Sequence, residues 1–362
     1  MADRIKSIFG PYSEKMQVMI DTAKDKFAPV WFTKYLDWGT PKTTLTFETA
    51  IGRSRIEAAA SVVDRSASAP LRGRPGLEKL RGEVPAIKEK FAMTESDYRD
   101  WEMLKAMSVN DGTKLKALLD LLFNDVKKVG DASLKRLDFM VLQGISTGKI
   151  NLSLTNNPDG IVTGEIDLLM PAENKRSVSE KWSVSATATP VTDIKNAVDA
   201  AEERGIAFEK ILMTRNTFWK FQKCDETIKM LNGFFRLNTN QKLLPTFAQV
   251  NEYLQANLLP TIELVNEAIG IEKDGKISVQ RPFEDTAAVL IPSGKLGIVH
   301  NAVCIEEMKP VAGVSYAKYE RSLISKWSQN DPFGEYTAVE LNAFPGIEAI
   351  DSIFILNTET KA

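Results

Sequence analysis

One apolar stripe at helical spacing runs from Thr113 to about residue 147, and it constrains the fold more than any other feature. Its members are Leu115, Leu118, Leu119, Leu122, Val126, Leu134, Leu137, Val141 and Ile145. Gly130 lowers the helix propensity but does not shift the phase of the pattern. At about 1.5 Å per residue, this stretch predicts a helix of roughly 50 Å, far longer than the mean globular helix. We expect the stripe to face a core.

The segment 53–81, upstream of this helix, is rich in arginine and poor in apolar residues. Its arginines are Arg53, Arg55, Arg65, Arg72, Arg74 and Arg81. Long loops inside compact domains are uncommon and are usually functional or disordered. Arginine is suited to bidentate pairing across interfaces. We predict that contact with neighbouring molecules orders this loop, and a solvated charged face is the alternative.

An aromatic stretch, residues 27–52, precedes the arginine-rich loop. Pro29, Gly39 and Pro41 exclude one long regular element, whereas the sequence TTLTFETA alternates like a strand. Large aromatic side chains in this stretch, among them Trp31, Phe32 and Trp38, require burial. The partner that buries them is either another part of the chain or another subunit.

The remaining sequence predicts two further regions. After the long helix, KINLSLTNNPDGIVTGEIDLL reads as two strands joined by a turn, with Gly148 ending the helix. Residues 191–317 alternate short helices and strands, which is typical of an independent α/β module. The C-terminal stretch returns to long alternating strands, and we expect these to pair with the strands around residues 150–170. The module is then an insertion into the domain that the long helix begins.

The residue types needed for catalysis or metal binding are scarce. His300 is the single histidine and lies in an apolar strand-like run, and the two cysteines, Cys224 and Cys304, lack CxxC spacing. GISTGKI, from Gly144 to Ile150, is one residue short of a phosphate-binding loop. The sequence therefore predicts no enzyme activity, no cofactor and no metal site.

Length and charge place further limits. A chain of 362 residues is long enough for about two domains. Its formal net charge of −2 argues against a dedicated nucleic-acid-binding protein, which is usually basic. We see no secretion signal at the N-terminus, and no run of 18 apolar residues that would span a membrane.

The order of these parts resembles the major capsid proteins of tailed phages, which have the Hong Kong 97 fold, and the residues are most similar to the phage lambda major capsid family. The similar segments are FAPVWFTKYLDWGTPKTTLTFETAIG, LRGRPGLEKLRGEVPAIKEKFAMTESDY, KWSVSATATPVTDIKNAV, GKLGIVHNAVC and WSQNDPFGEYTAVELNAFP. The resemblance spans nearly the whole chain, and the order of the segments carries most of it.

The resemblance implies an α+β fold with an N-terminal arm (1–45), an extended loop (46–92), a peripheral domain with a spine helix (93–190 and 318–362) and an inserted axial domain (191–317). It implies self-assembly through pentamers and hexamers into an icosahedral shell around phage DNA. Portal, scaffolding and decoration proteins are the implied partners, with no membrane. The implied location is the virion capsid, assembled in the host cytoplasm. The loop and arm residues implied at subunit contacts are Arg53, Arg55, Arg65, Arg72, Arg74, Arg81, Trp31, Phe32 and Trp38.

Two alternatives stay open at the level of the sequence. An encapsulin-type nanocompartment shares the fold but not the viral role. An unrelated soluble α/β enzyme is the second alternative, and the scarcity of histidine and of catalytic motifs counts against it.

Overall fold

The structure is a computed structural model that describes residues 16–51, 78–97, 99, 103, 111–162, 164–236, 243–331 and 333–361. The chain divides into two compact units. The first unit comprises Met1–Phe47, Gly82–Asp138 and Val299–Pro345, and the second comprises Glu48–Arg81, Phe139–Ile298 and Gly346–Ala362. The predicted domains have other bounds and stay a prediction.

The α-helices vary greatly in length. They are α1 (Met16–Thr22), α2 (Asp111–Thr147), α3 (Pro190–Glu202), α4 (Arg215–Lys223), α5 (Asp225–Phe234), α6 (Phe247–Ala256) and α7 (Ile305–Met308). Helix α2 has 37 residues and is the long helix that the apolar stripe predicts. It ends at Gly148, whose φ of 73° lies in the left-handed region that favours glycine. No helix among the described residues is long and apolar enough to cross a membrane.

The sheet of the first unit combines strands that are consecutive in the sequence with strands from distant parts of the chain. Its sheet has the order β1 (Leu36–Trp38), β13 (Gly297–Ala302), β16 (Phe333–Gly346), β15 (Ser322–Asn330) and β14 (Ser315–Tyr319), and β4 (Ala86–Met93) also pairs with β16. Strands β14, β15 and β16 form an antiparallel meander with tight turns. Strand β4 pairs antiparallel with β16 over eight positions, from Met93 opposite Glu335 to Ala86 opposite Asn342.

The second unit is built on a five-stranded sheet with helices α3 to α6. The strand order is β7 (Lys175–Val178), β17 (Phe354–Lys361), β12 (Ala287–Pro292), β8 (Phe208–Met213) and β9 (Thr261–Leu264). The pairs β17–β7 and β8–β9 are parallel, and β12 is antiparallel to both of its neighbours. Trp182, Phe221 and Phe354 are fully buried in the core that the helices and this sheet share.

Three two-stranded sheets complete the described fold. They are β2 (Thr46–Ile51) with β3 (Glu78–Glu83), β5 (Lys149–Leu152) with β6 (Gly164–Asp167), and β10 (Ile269–Lys273) with β11 (Lys276–Gln280). The β5–β6 pair confirms the hairpin predicted after the long helix. The sequence EKDGK also predicts a hairpin turn, and the β10–β11 pair confirms it. Asp97 follows Thr94 by three residues, a spacing that predicts a capping box. The structure confirms it, because the Thr94 backbone N–H donates to the Asp97 carboxylate at 2.8 Å.

Two expectations were wrong. The C-terminal strands do not pair with residues 150–170, because tight turns let β14, β15 and β16 pair with one another, and β17 joins β7 and β12. The sequence also predicts a single helix over 216–231, but the structure has two helices there, α4 and α5. The extended backbone of Cys224, with ψ at 136°, separates α4 from α5.

Candidate assembly surfaces

The ribbon of β2 and β3 presents a charged face to solvent. The Lys79 ammonium lies 2.5 Å from one oxygen of the Glu48 carboxylate, and the Arg81 guanidinium lies 3.0 Å from the other. The hydrogen bond from Lys79 is the main cause that lowers the pKa of Glu48, with the charge of Arg81 acting in the same direction. Ion pairs between exposed side chains thus link the two strands.

Of the six arginines in the predicted loop, one lies among the described residues. Arg81 lies on β3 with two thirds of its side chain exposed. The other five, Arg53, Arg55, Arg65, Arg72 and Arg74, lie outside the described residues. Contact with a neighbouring subunit stays a prediction for all six.

The aromatic arm is held by helix α2 within the first unit. The Asp138 carboxylate, on α2 and 1% exposed, accepts hydrogen bonds from the backbone N–H groups of Trp31, at 3.0 Å, and Phe32, at 2.8 Å. One turn earlier, the Lys135 ammonium donates to the Pro29 carbonyl at 3.1 Å. Asp131 accepts from the backbone N–H of Ala28 at 2.8 Å. Successive polar side chains on one face of the helix therefore fix the path of the arm.

Burial of the arm's aromatic residues occurs within the chain. Trp31 and Phe32 are 4% and 1% exposed, and Trp38 is half-buried with its ring 5.3 Å from that of Phe32. Of the two partners that the sequence left open, another part of the chain is the one observed. The need for burial therefore gives no reason to place Trp31 or Phe32 at a subunit contact, and their role there stays a prediction.

A second exposed surface was not found from the sequence. In the β10–β11 hairpin, Ile269 and Ile271 pack with Phe139 in a small buried cluster of the second unit. The opposite face carries Ile277 and Val279, which are 70% and 68% exposed. Apolar residues alternate with polar ones on both strands, but only the structure shows that one face is left uncovered by the described residues.

Trp219 on α4 is another exposed apolar residue of the second unit, at 51%. Its neighbour Phe218 is buried and lies with its ring 5.4 Å from that of Phe247 on α6. The sequence offered no means to separate these two adjacent aromatic residues. Large apolar groups in contact with water are the usual mark of an interaction surface when they cluster.

The single histidine and both cysteines are buried, and their pKa values are shifted so that they are uncharged at neutral pH. Burial lowers the pKa of His300 to about 4, and its ring stacks on Phe47 at 5.1 Å. Burial also raises the thiol pKa of Cys224 and of Cys304 to about 12. Within the described part of the chain, no group of three or more His, Cys, Asp or Glu residues could hold a metal ion.

Comparison with known proteins decides the family. The profile of the family described as phage major capsid protein E matches residues 29–358, which is nearly the whole chain. The chain belongs to this family. No curated protein matches it significantly.

One of three similar solved structures has a TM-score above 0.5 and supports the fold of this capsid protein. A protein described as the capsid protein of a prophage of E. coli CFT073 has a TM-score of 0.59 at 14% identity, over 95% of this chain and 98% of that one. A phage-related protein of Bordetella bronchiseptica RB50 has a TM-score of 0.48 at 10% identity, over 94% and 96%. The mature capsid of bacteriophage PhiM1 has a TM-score of 0.47 at 10% identity, over 91% and 87%. The fold is of the Hong Kong 97 type.

The major capsid protein is thus a structural and not a catalytic protein. Members of the family assemble into the oligomeric shell of a virion. The match to the phage family favours this role over that of an encapsulin-type compartment.

Proposed function

We propose that this capsid protein assembles through pentamers and hexamers into an icosahedral shell that encloses double-stranded phage DNA. The family match over residues 29–358 is the observation that carries the proposal. Exposed apolar residues of the second unit, among them Ile277, Val279 and Trp219, support it, because a shell subunit must bury such groups against its neighbours.

The proposed roles of the segments follow the family pattern. Residues 1–45 form the arm and 46–92 the extended loop that lies across a neighbouring subunit. The peripheral domain consists of 93–190 and 318–362, and the axial domain, 191–317, surrounds the five-fold and six-fold positions. The ribbon of β2 and β3 supports the loop assignment, because it joins the two ends of the arginine-rich segment. Most of the arginines predicted at subunit contacts lie in that segment. Strand β4, all but its last residue within the range 46–92, pairs with β16 in the first unit.

The proposed partners are further copies of the chain, a portal protein, a scaffolding protein and a decoration protein. Assembly takes place in the host cytoplasm. Contact with packaged DNA is weak and independent of sequence, because a strongly basic lining would bind phosphates too tightly through counterion release. The net charge of −2 suits such contact.

Negative-stain microscopy of the purified full-length chain tests self-assembly. We expect rings of five or six subunits, or closed shells. A sharp monomer in light scattering, at high concentration and physiological salt, would overturn the proposal. Tight or sequence-selective DNA binding by the free chain at physiological salt would likewise indicate another function.

A further inference from the structure

Among the described strands, β14 lies at one edge of the first unit's sheet, and one side of its backbone is not paired with another strand. Tyr319 pairs with Ser322 across a two-residue turn, and Lys318 pairs with Leu323. Next to a two-residue turn the first pair exchanges both hydrogen bonds, so the following pair does not. The N–H and C=O groups of Lys318 therefore point away from β15, towards the edge of the sheet.

One side chain of helix α1 satisfies both of these groups. The Gln17 carboxamide oxygen accepts a hydrogen bond from the Lys318 N–H at 2.7 Å, and its nitrogen donates to the Lys318 carbonyl at 3.0 Å. A primary amide has the same donor and acceptor as a peptide group. Gln17 thus occupies the place that one residue of an additional strand would take.

The rest of α1 is anchored at the same strand. Met16 and Ile20, one turn apart, are 4% and 0% exposed. Phe27, just beyond the helix, stacks on Tyr319 at the end of β14, with ring centroids 3.8 Å apart and planes 17° from parallel. The cover nonetheless rests on few polar contacts, because within the described residues the hydrogen bonds between α1 and β14 are those of the single Gln17 side chain.

We propose that α1 is a detachable cover of the β14 edge, and that displacement of α1 lets this edge pair with an extended strand of a second copy of the chain. An uncovered edge strand is a ready template for strand addition. A protein that must stay soluble before it assembles benefits from such a cover. The inference depends on the proposed function only in its choice of a second copy as the partner.

Hydrogen exchange and light scattering of the full-length chain test the cover. Gln17→Ala should speed exchange of the Lys318 amide by about tenfold, which corresponds to the net loss of about one hydrogen bond. It should also increase the mass of the soluble species at a fixed concentration. Val18→Ala is the matched control, because Val18 lies on the same helix and is 62% exposed. It should change neither measurement.

A proline at position 318 tests whether the second copy pairs with the β14 edge. Proline has no N–H and is tolerated on edge strands where that group faces outward. Gln17→Ala combined with Lys318→Pro should return the mass to that of the wild type. Lys318→Ala in the same background controls for the ion pair between Lys318 and Glu307, and should leave the association in place.

The outcomes separate this inference from the proposed function. Unchanged exchange at Lys318 in Gln17→Ala would overturn the cover. Association that persists in the Lys318→Pro double variant would overturn pairing through this edge, as would added mass traced by mass spectrometry to another protein. Gln17→Asn, whose shorter side chain cannot reach both groups, repeats the test if Gln17→Ala lowers the melting temperature of the subunit. Normal shells in all variants with unchanged exchange would reject the cover and leave the shell function intact.

Discussion

The Asp138 carboxylate accepts a 2.8 Å hydrogen bond from the backbone N–H of Phe32, and so joins the long helix to the arm at a site that is almost fully buried. A buried carboxylate that accepts backbone N–H groups forms strong charge-assisted hydrogen bonds. Its loss would leave those N–H groups unsatisfied away from water.

We predict that Asp138→Ala lowers the free energy of unfolding by about 2–4 kcal/mol, since it removes bonds to two buried donors. Urea titration followed by circular dichroism measures this change. Asp131→Ala is the matched control on the same helix face, because Asp131 is half-buried and accepts one arm N–H. A cost at Asp138 no larger than the cost at Asp131 would contradict the role assigned to Asp138.

Lys326 gives the first unit a dependence on pH. Its side chain is buried, and burial lowers its pKa from 10.5 to about 8, although the charges of Asp125 and Glu335 act in the opposite direction. Between these two values the unfolded chain binds a proton that the folded chain has released. The free energy of unfolding therefore rises with pH across this window, by about 2 kcal/mol between about pH 7.5 and about pH 9.5.

The measurement is the difference in unfolding free energy between wild type and Lys326→Met at each pH. The difference is needed because Cys224 and Cys304, whose thiol pKa values are raised from 9.0 to about 12, act in the opposite direction above pH 9. Lys128→Met, at an exposed lysine of helix α2, controls for the loss of a lysine. A difference that stays flat with pH would show that folding does not lower the pKa of Lys326.

Two glycines of the second unit should respond oppositely to alanine. A Cβ at Gly297 would clash with the carbonyl oxygen of Gly346 and lie 2.7 Å from the backbone nitrogen of Glu348, whereas a Cβ at Gly233 would meet nothing within 4 Å. Gly297→Ala should cost about 3 kcal/mol, because backbone atoms must move. Gly233→Ala, inside helix α5, should stabilise by up to about 1 kcal/mol. Thermal melts of both variants check the pair, and similar melting temperatures would be inconsistent with this packing.

The arginine-rich loop should matter to assembly and not to the fold of the subunit. Arg72→Ala with Arg74→Ala should change the unfolding free energy by less than about 0.5 kcal/mol, as surface changes usually do. The same change should reduce assembly sharply, since each lost charged hydrogen bond at an interface costs about 1.5–3 kcal/mol and every subunit repeats the loss.

Microscopy and sedimentation of the purified double variant measure this assembly. Arg99→Ala is the control, because Arg99 is exposed and forms its ion pair locally with Glu95. Normal shells in normal yield from the double variant would show that these arginines do not hold a neighbour.

The sequence by itself determined the elements whose signals are local. The apolar stripe from Leu115 to Ile145 predicted helix α2, and Gly148 predicted its end, because both depend on neighbours a few residues away. The hairpin turns and the cap at Thr94 followed from the same kind of signal. The order of these elements along the chain then pointed to the capsid family.

Only the tertiary structure decided which elements meet. An apolar period shows which face of a strand is buried but not which strand lies beside it, so the pairing of β17 with β7 and β12 could not be predicted. The same limit applies to side chains that act at a distance. Asp138 and Gln17 are ordinary polar residues in the sequence, and their hydrogen bonds to Phe32 and Lys318 span 106 and 301 positions along the chain. Such bonds form because the fold brings otherwise unsatisfied backbone groups beside them, and no local pattern records that proximity.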